Sequence, residues 1–162
     1  MAPSRRWFPF LLSLLIIAAD RWSKIAIRHS LSAFDQISII PGWLRIIHTE
    51  NPGAAFGILA EGNQWLRSGI LIGVSTLVLI FVVSALWRAG SGFQSPLARA
   101  ALGLVLGGAA GNLYDRIVHG TVTDFIEVYH GSWSFPDFNV ADSAITVGAI
   151  LLVLELIHPR RR

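Results

Sequence analysis

Four apolar runs decide what this chain can become. A helix that crosses a bilayer needs about 20 predominantly apolar residues, and four stretches approach that length. The first starts at Trp7, is free of charge to Ala19, and reaches spanning length only by continuing through Asp20 to about Ile27. The second is Trp65 to Leu86, with Arg67 near its start. The third is Leu97 to Leu113, opened by Pro96, which suits a first helical turn. The fourth is Val140 to Ile157, followed by His158 and Pro159. The basic start and short apolar core of the first run also fit a cleaved signal peptide. No small-x-small site follows, since the chain reads Ala18-Ala19-Asp20-Arg21-Trp22, so a retained helix is expected. Charged residues make up 14% of the chain, against about 25% in average soluble domains. That deficit makes lipid much of its solvent.

The expected fold is therefore an all-α polytopic membrane protein, a single domain over residues 1–162. It has four transmembrane helices at about 7–27, 65–86, 97–113 and 140–157, with outer segments at about 28–64 and 114–139. Basic residues in short loops set orientation. Arg5, Arg6, Arg88, Arg99 and Arg160 to Arg162 fall on one side, whose tails and loop carry no acid. The other side holds nearly as many basic residues and every acid except Glu155. The clustering at the tails favours both termini inside. The first outer segment contains the β-prone pieces Gln36 to Ile40 and Trp43 to Thr49, parted by the turn signal Pro41-Gly42. A small extracytoplasmic β-rich segment is expected there.

Cysteine is absent, which excludes disulfides, thiolate metal sites and cysteine nucleophiles. There is no His-x-x-x-His spacing for a metal, and Ser143 has no supporting motif. Neither a metal nor a cofactor is expected. The modest net charge of +3 and the placing of arginines at the edges of apolar runs argue against a nucleic-acid partner.

The polar residues near the runs need reasons, because charge at membrane depth is costly. Asp20 and Lys24 are spaced i,i+4 and can pair; a structural ion pair is the plainer reading. Gly103, Gly107 and Gly111 repeat every four residues, the pattern that lets helices approach closely in lipid. Asn112, Asp115 and Arg116 follow at the outer end, where the last two also read as an interfacial flank. Asp124 and Asp142 are the sharper pair, returning to one membrane face. The residues alone favour plainer readings for both: a solvated loop carboxylate for Asp124, and for Asp142 a helix-cap partner of Asn139. His119 and His130 flank Asp124 and are expected to face solvent. A transporter subunit using Asp20 and Lys24, or a scaffold using the glycine face, are rival readings.

Five blocks in order then carry a resemblance: Asp20-Arg-Trp-Ser-Lys24, Asn51-Pro-Gly-Ala-Ala-Phe-Gly57, Gly107-Gly-Ala-Ala-Gly-Asn-Leu-Tyr-Asp-Arg116, Val122-Thr-Asp-Phe-Ile126 and Phe138-Asn-Val-Ala-Asp142. Along nearly its whole length the chain resembles the lipoprotein signal peptidases, or signal peptidase II family. The resemblance implies an aspartic endopeptidase of the bacterial inner membrane that cleaves prolipoproteins just before a lipid-modified cysteine. It implies four spanning helices, cytoplasmic termini, and a site near the outer leaflet surface. Its catalytic pair carries over to Asp124 and Asp142. Substrate-binding or structural support carries over to Asp20, Lys24, Asn51, Gly53, Asn112, Asp115, Arg116 and Asn139. One departure is Pro52, which stiffens the loop after Asn51. The implied partners are lipid-modified prolipoproteins and membrane lipid; the sequence sets no oligomeric state. The segment from Ile37 to Gly57 is expected to lie over the pair and hold substrate by strand pairing. Asn51 there has two readings, a substrate contact or the closure of its own turn.

Overall fold

The computed structural model describes residues 3–53, 64–88 and 95–157. Four helices and one four-stranded antiparallel sheet follow in the order α1 (Pro3–Ser30), β1 (Ile37–Ile40), β2 (Leu44–Asn51), α2 (Gln64–Trp87), α3 (Pro96–Val118), β3 (Val122–His130), β4 (Trp133–Ser134) and α4 (Val140–Ile157). The stretch from Ala54 to Gly57 and the inner loop Gly90-Ser91-Gly92 lie outside the described residues.

Local chemistry sets the helix ends. The Ser95 hydroxyl accepts from the Ala98 N–H at 2.9 Å and caps α3, while Pro96, with no N–H to satisfy, occupies its first turn. At α4 the cap is reciprocal. The Asp142 N–H donates to Asn139 Oδ1 at 2.9 Å, and the Asn139 N–H donates to Asp142 Oδ2 at 3.2 Å. α3 outlasts its apolar run, ending at Val118 rather than near Leu113. The reading that set Asp115 and Arg116 in the outer segment is corrected: both belong to the helix, whose last turns stay ordered because their polar side chains find partners inside the bundle.

α3 is the axis on which the other helices pack, and its missing side chains make that so. A Cβ at Gly103 would stand 2.7 Å from the Pro9 carbonyl oxygen, one at Gly107 2.8 Å from that of Ser13, and one at Gly111 2.7 Å from Asp20 Oδ2. The glycine stripe is thus the seat of α1. Gly108 turns instead to α4, where a Cβ would collide with the Ala141 carbonyl, and Gly148 of α4 reciprocates against Ala101. α2 packs mainly on α3, through Val82, Ala85 and Leu86 gathered about Leu102, with Phe10 of α1 and Leu152 of α4 against the same cluster. The outward helix surfaces are apolar: Leu11, Leu14, Leu77, Phe81, Ile150 and Leu154 are all exposed. Such a surface suits lipid rather than water. Two helices, α2 and α4, are long and apolar enough to cross a membrane; α1 and α3 carry the charges that the bundle buries.

The sheet sits where α1 and α3 end and α4 begins, in the strand order β1-β2-β3-β4. β1 and β2 fall close to the expected pieces, with Gly42 at φ 80° in the turn between them. β3 was not anticipated. It replaces the loop assigned to Asp124, and it sets Asp124 opposite Thr49 and Val122 opposite Asn51. β2 is paired on both edges over Leu44 to Ile46, whereas Thr49 to Asn51 pair with β3 alone.

The helix contacts give a direct test. Gly108→Ala should lower stability by about 1–3 kcal/mol through overpacking against a backbone carbonyl. Gly73→Ala on α2, where a Cβ meets nothing within 4 Å, should be neutral or mildly stabilising because alanine is the better helix former. Thermal unfolding in detergent distinguishes them, and equal effects would mean that the α3–α4 contact is loose.

Candidate active site

The site forms where the cap of α4 meets β3. Asn139, fully buried, touches both acids: its backbone N–H donates to Asp142 Oδ2, and its side-chain amide donates to Asp124 Oδ1 at 2.7 Å. Two further amides complete the cradle. Asn112 of α3 donates to Asp142 Oδ1 at 2.7 Å, and Asn51 of β2 donates to Asp124 Oδ2 at 2.9 Å. Each carboxylate thus has both oxygens bonded by neutral donors. The solvated-loop alternative for Asp124 is corrected, since that residue is 2% exposed. The cap reading of Asp142 holds geometrically, yet the same cap brings Asp142 beside Asp124; the two readings were never exclusive. Burial pushes the Asp124 carboxyl up to about 7; the Asn51 and Asn139 amides pull it down, and the neighbouring Asp142 charge pushes it up.

Behind the pair lies a charged layer. The Lys24 ammonium has three protons and meets three acceptors: Asp20 Oδ2 at 2.8 Å, Asp115 Oδ2 at 2.8 Å and Asn112 Oδ1 at 2.9 Å. Lys24, Asp20 and Asp115 are all fully buried. Asp20 Oδ1 accepts the Ala141 N–H at 3.0 Å, in the first turn of α4. Arg21 pairs with Asp115 and lies over the Tyr114 ring. The expected Asp20–Lys24 pair is present, but it is part of a larger network, and Asp115 is no interfacial flank. Arg116 reaches toward the Gly53 carbonyl at 3.5 Å and stands near Asp115, Asp124 and Asp142. Asn51 Oδ1 accepts the Gly53 N–H at 2.9 Å while its amide holds Asp124. It closes its own turn and braces the acid at once.

The two acids, with Asn51, Asn112 and Arg116, line a cavity of about 440 Å³ whose remaining wall is largely apolar, including Phe135, Phe138, Ile145 and Val147. A second cavity of about 400 Å³ adjoins it across Asn51, Asp124, Pro136 and Asp137 and is bounded by Thr49, Glu50 and Pro52. Arg21, Thr49, Glu50, Thr123 and Asp137 were not singled out beforehand. The density of β-branched and aromatic residues from Val122 to Tyr129 was the signal that could have located β3 and, with it, Thr123. His119 and His130 are exposed as expected, His130 stacked on Trp43. Among the described residues no cluster of metal-ligating side chains occurs.

The architecture is that of bacterial membrane enzymes. It is similar to one such enzyme solved by the in meso method, with a TM-score of 0.81 and 30% identity over 93% of this chain and 87% of that one. A second gives a TM-score of 0.80 at 29% identity over 94% of each. Residues 12–158 match the family described as signal peptidase (SPase) II. The chain is 41% identical to the lipoprotein signal peptidase of Solibacter usitatus (strain Ellin6076) over 99% of this chain and 96% of that one. It is 44% identical to that of Pseudomonas syringae pv. tomato over 93% and 86%. The chain belongs to the signal peptidase II family, a family of proteases.

The charged layer predicts an unequal pair of losses. Lys24→Met strips two buried carboxylates of their shared cation and should cost about 3–5 kcal/mol. Asp20→Asn should cost less, because Lys24 keeps Asp115 and Asn112. Unfolding of both variants in detergent is the check. A Lys24→Met protein no weaker than Asp20→Asn would show that the ammonium is not the hub.

Proposed function

We propose that the protein removes signal peptides from prolipoproteins as an aspartic endopeptidase, cutting just before the diacylglyceryl-modified cysteine. The single observation that carries the mechanism is that Asp124 and Asp142 share Asn139 at the wall of one cavity. Two carboxylates so close do not both ionise readily, so they hold one proton between them. The ionised member takes a proton from water, and the protonated member hydrogen-bonds the scissile carbonyl. The resulting tetrahedral carbon collapses with cleavage of the C–N bond, and a proton passes to the departing cysteine amine. The pair acts as one titrating unit. Asn51, Asn112 and Asn139 aim the carboxylates; Asp20, Lys24 and Asp115 fix Asn112 and the start of α4. Arg116, whose buried Nε has no partner among the described residues, and Gly53 bound the space for the substrate backbone.

The setting follows from the substrate. Each methylene moved from lipid to water costs about 0.8 kcal/mol, so the acyl chains and the signal helix stay in the bilayer and the acids must come to them. All four helices span the inner membrane as parts of one domain. Both termini are cytoplasmic, and the sheet and site lie at the outer leaflet surface. A reporter fused after Arg162 should therefore give a cytoplasmic signal; a periplasmic one would reverse this placement.

Asp124→Asn and Asp142→Asn should each reduce cleavage of a purified prolipoprotein to background in a gel-shift assay while the protein still folds, because an amide neither ionises nor donates a carboxylic proton. Turnover by either variant removes that residue from the mechanism. The pH dependence adds a second test. With Asp124 lifted to about 7, the pair keeps its shared proton below that pH, and kcat/KM should fall as pH rises through it. The stability contributed by this raised carboxyl is likewise full below its ordinary value near 3.8 and lost on rising through about 7. Asn51→Ala removes a donor that favours the ionised form, so the alkaline limb should move to higher pH. A limb that stays in place would separate Asn51 from the titration.

A further inference from the structure

The two cavities differ in kind, and they join at Asp124. The larger has the apolar wall of Phe135, Phe138, Ile145 and Val147, on the helix side. The smaller is bounded by Thr49, Glu50 and Pro52, at the end of β2. A chain cleaved at the Asp124–Asp142 pair must keep its lipid and signal helix on the apolar side. Its continuation, which ends in water, then leaves through the smaller cavity. Asp137 lines both cavities, so the residues just after the cut pass it.

The two acids of that exit are not equivalent. Glu50 is fully engaged: Thr121, Thr123, His48 and Arg28 all bond its carboxylate. Against the burial that would raise it, these partners hold it below the usual glutamate range. Asp137 is half-buried and, among the described residues, has one hydrogen bond, from the Thr49 hydroxyl at 3.1 Å. Among the described residues no cation lies in ion-pair contact with it; Arg45 and Glu127 act on it from further off, and those two are paired with each other. Thr49 stands opposite Asp124 in the β2–β3 ladder, and cross-strand partners share a face of the sheet. The Thr49–Asp137 contact therefore lies on the face that carries Asp124. Burial lifts the Asp137 carboxyl above the ordinary aspartate range, as expected of a carboxylate with too few donors.

We infer that Asp137 is a specificity-determining residue, whose carboxylate in the exit cavity selects a basic over an acidic side chain in the first residues after the lipid-modified cysteine. This rests on the proposed function. An incoming lysine supplies a further donor and a countercharge, whereas an incoming aspartate meets a like charge while the neighbouring cation, Arg45, is already paired with Glu127.

The test uses the full-length enzyme in detergent and three diacylglyceryl-modified prolipopeptides that differ only in carrying Lys, Ala or Asp directly after the cysteine. At low salt the wild type should cleave the Lys peptide about three- to fivefold more efficiently than the Asp peptide, the range of a half-exposed ion pair, with Ala between. Asp137→Asn should bring the Lys-to-Asp ratio of kcat/KM close to one, and Asp137→Lys should invert it. A ratio taken within one variant does not depend on how much of that variant folds. A residue that only tied the 135–138 segment to β2 would change overall rate or melting temperature and leave the ratio alone. The inference is overturned if the wild type treats the three peptides alike, or if its preference survives in Asp137→Asn. Cleavage of the Ala peptide by the wild type keeps the proposed function standing in either case, and its absence sinks both.

Discussion

The ammonium of Lys24 is the interaction on which the rest of the structure depends. A lysine buried in a bundle of apolar helices is tenable only with every proton bonded and its charge balanced. Here three acceptors surround it: Asp20 from its own helix, and Asp115 and Asn112 from α3. Asp20 continues the chain of bonds to the first turn of α4 through the Ala141 N–H. Three helices are thus registered by one polar cluster, in a solvent where apolar side chains gain little by preferring one another to lipid. The cluster also orients Asn112. Its oxygen is claimed by the lysine, which leaves its amide to donate to Asp142.

That cluster closes only because α3 is thin. With glycine at 103, 107 and 111, α1 comes near enough that a single methyl group would strike its backbone or the Asp20 carboxylate. Packing and polarity are therefore one constraint: side chains as short as aspartate and asparagine cannot bridge helices held apart by larger residues. The same reasoning explains why α2, outside the cluster and joined to α3 by ordinary apolar contact, presents so much of its surface outward.

Helical elements were largely legible in the sequence, because apolar length is a local property. The fourth run and α4 share their bounds, and Pro96 marked the start of α3. The i,i+4 spacing of Asp20 and Lys24 likewise announced a contact within one helix. What was not legible is what depends on distant partners. Asp115 looked like a flank because the arginine that pairs with it is 94 positions away. Asp124 looked like a loop residue because the strand carrying it is defined by pairing with β2, 73 positions from Asn51. The family blocks contain Asp124, Asp142 and the asparagines that bond them. Asp137 lies inside no motif, and its place between two cavities depends on the folded chain.

The dual bonding of Asn139 has a consequence for how such a protein can be made without harm. Its backbone and side chain hold Asp142 and Asp124 only when the first turn of α4 is wound, and α4 follows the other three described helices in the chain. Under the proposed mechanism, a nascent chain whose α4 is not yet wound has Asp124 without Asp142 beside it. Hydrolytic competence would then switch on with that cap rather than grow gradually. The surrounding membrane is spared a half-built protease, and quality control has a clear boundary between an inert precursor and a working enzyme.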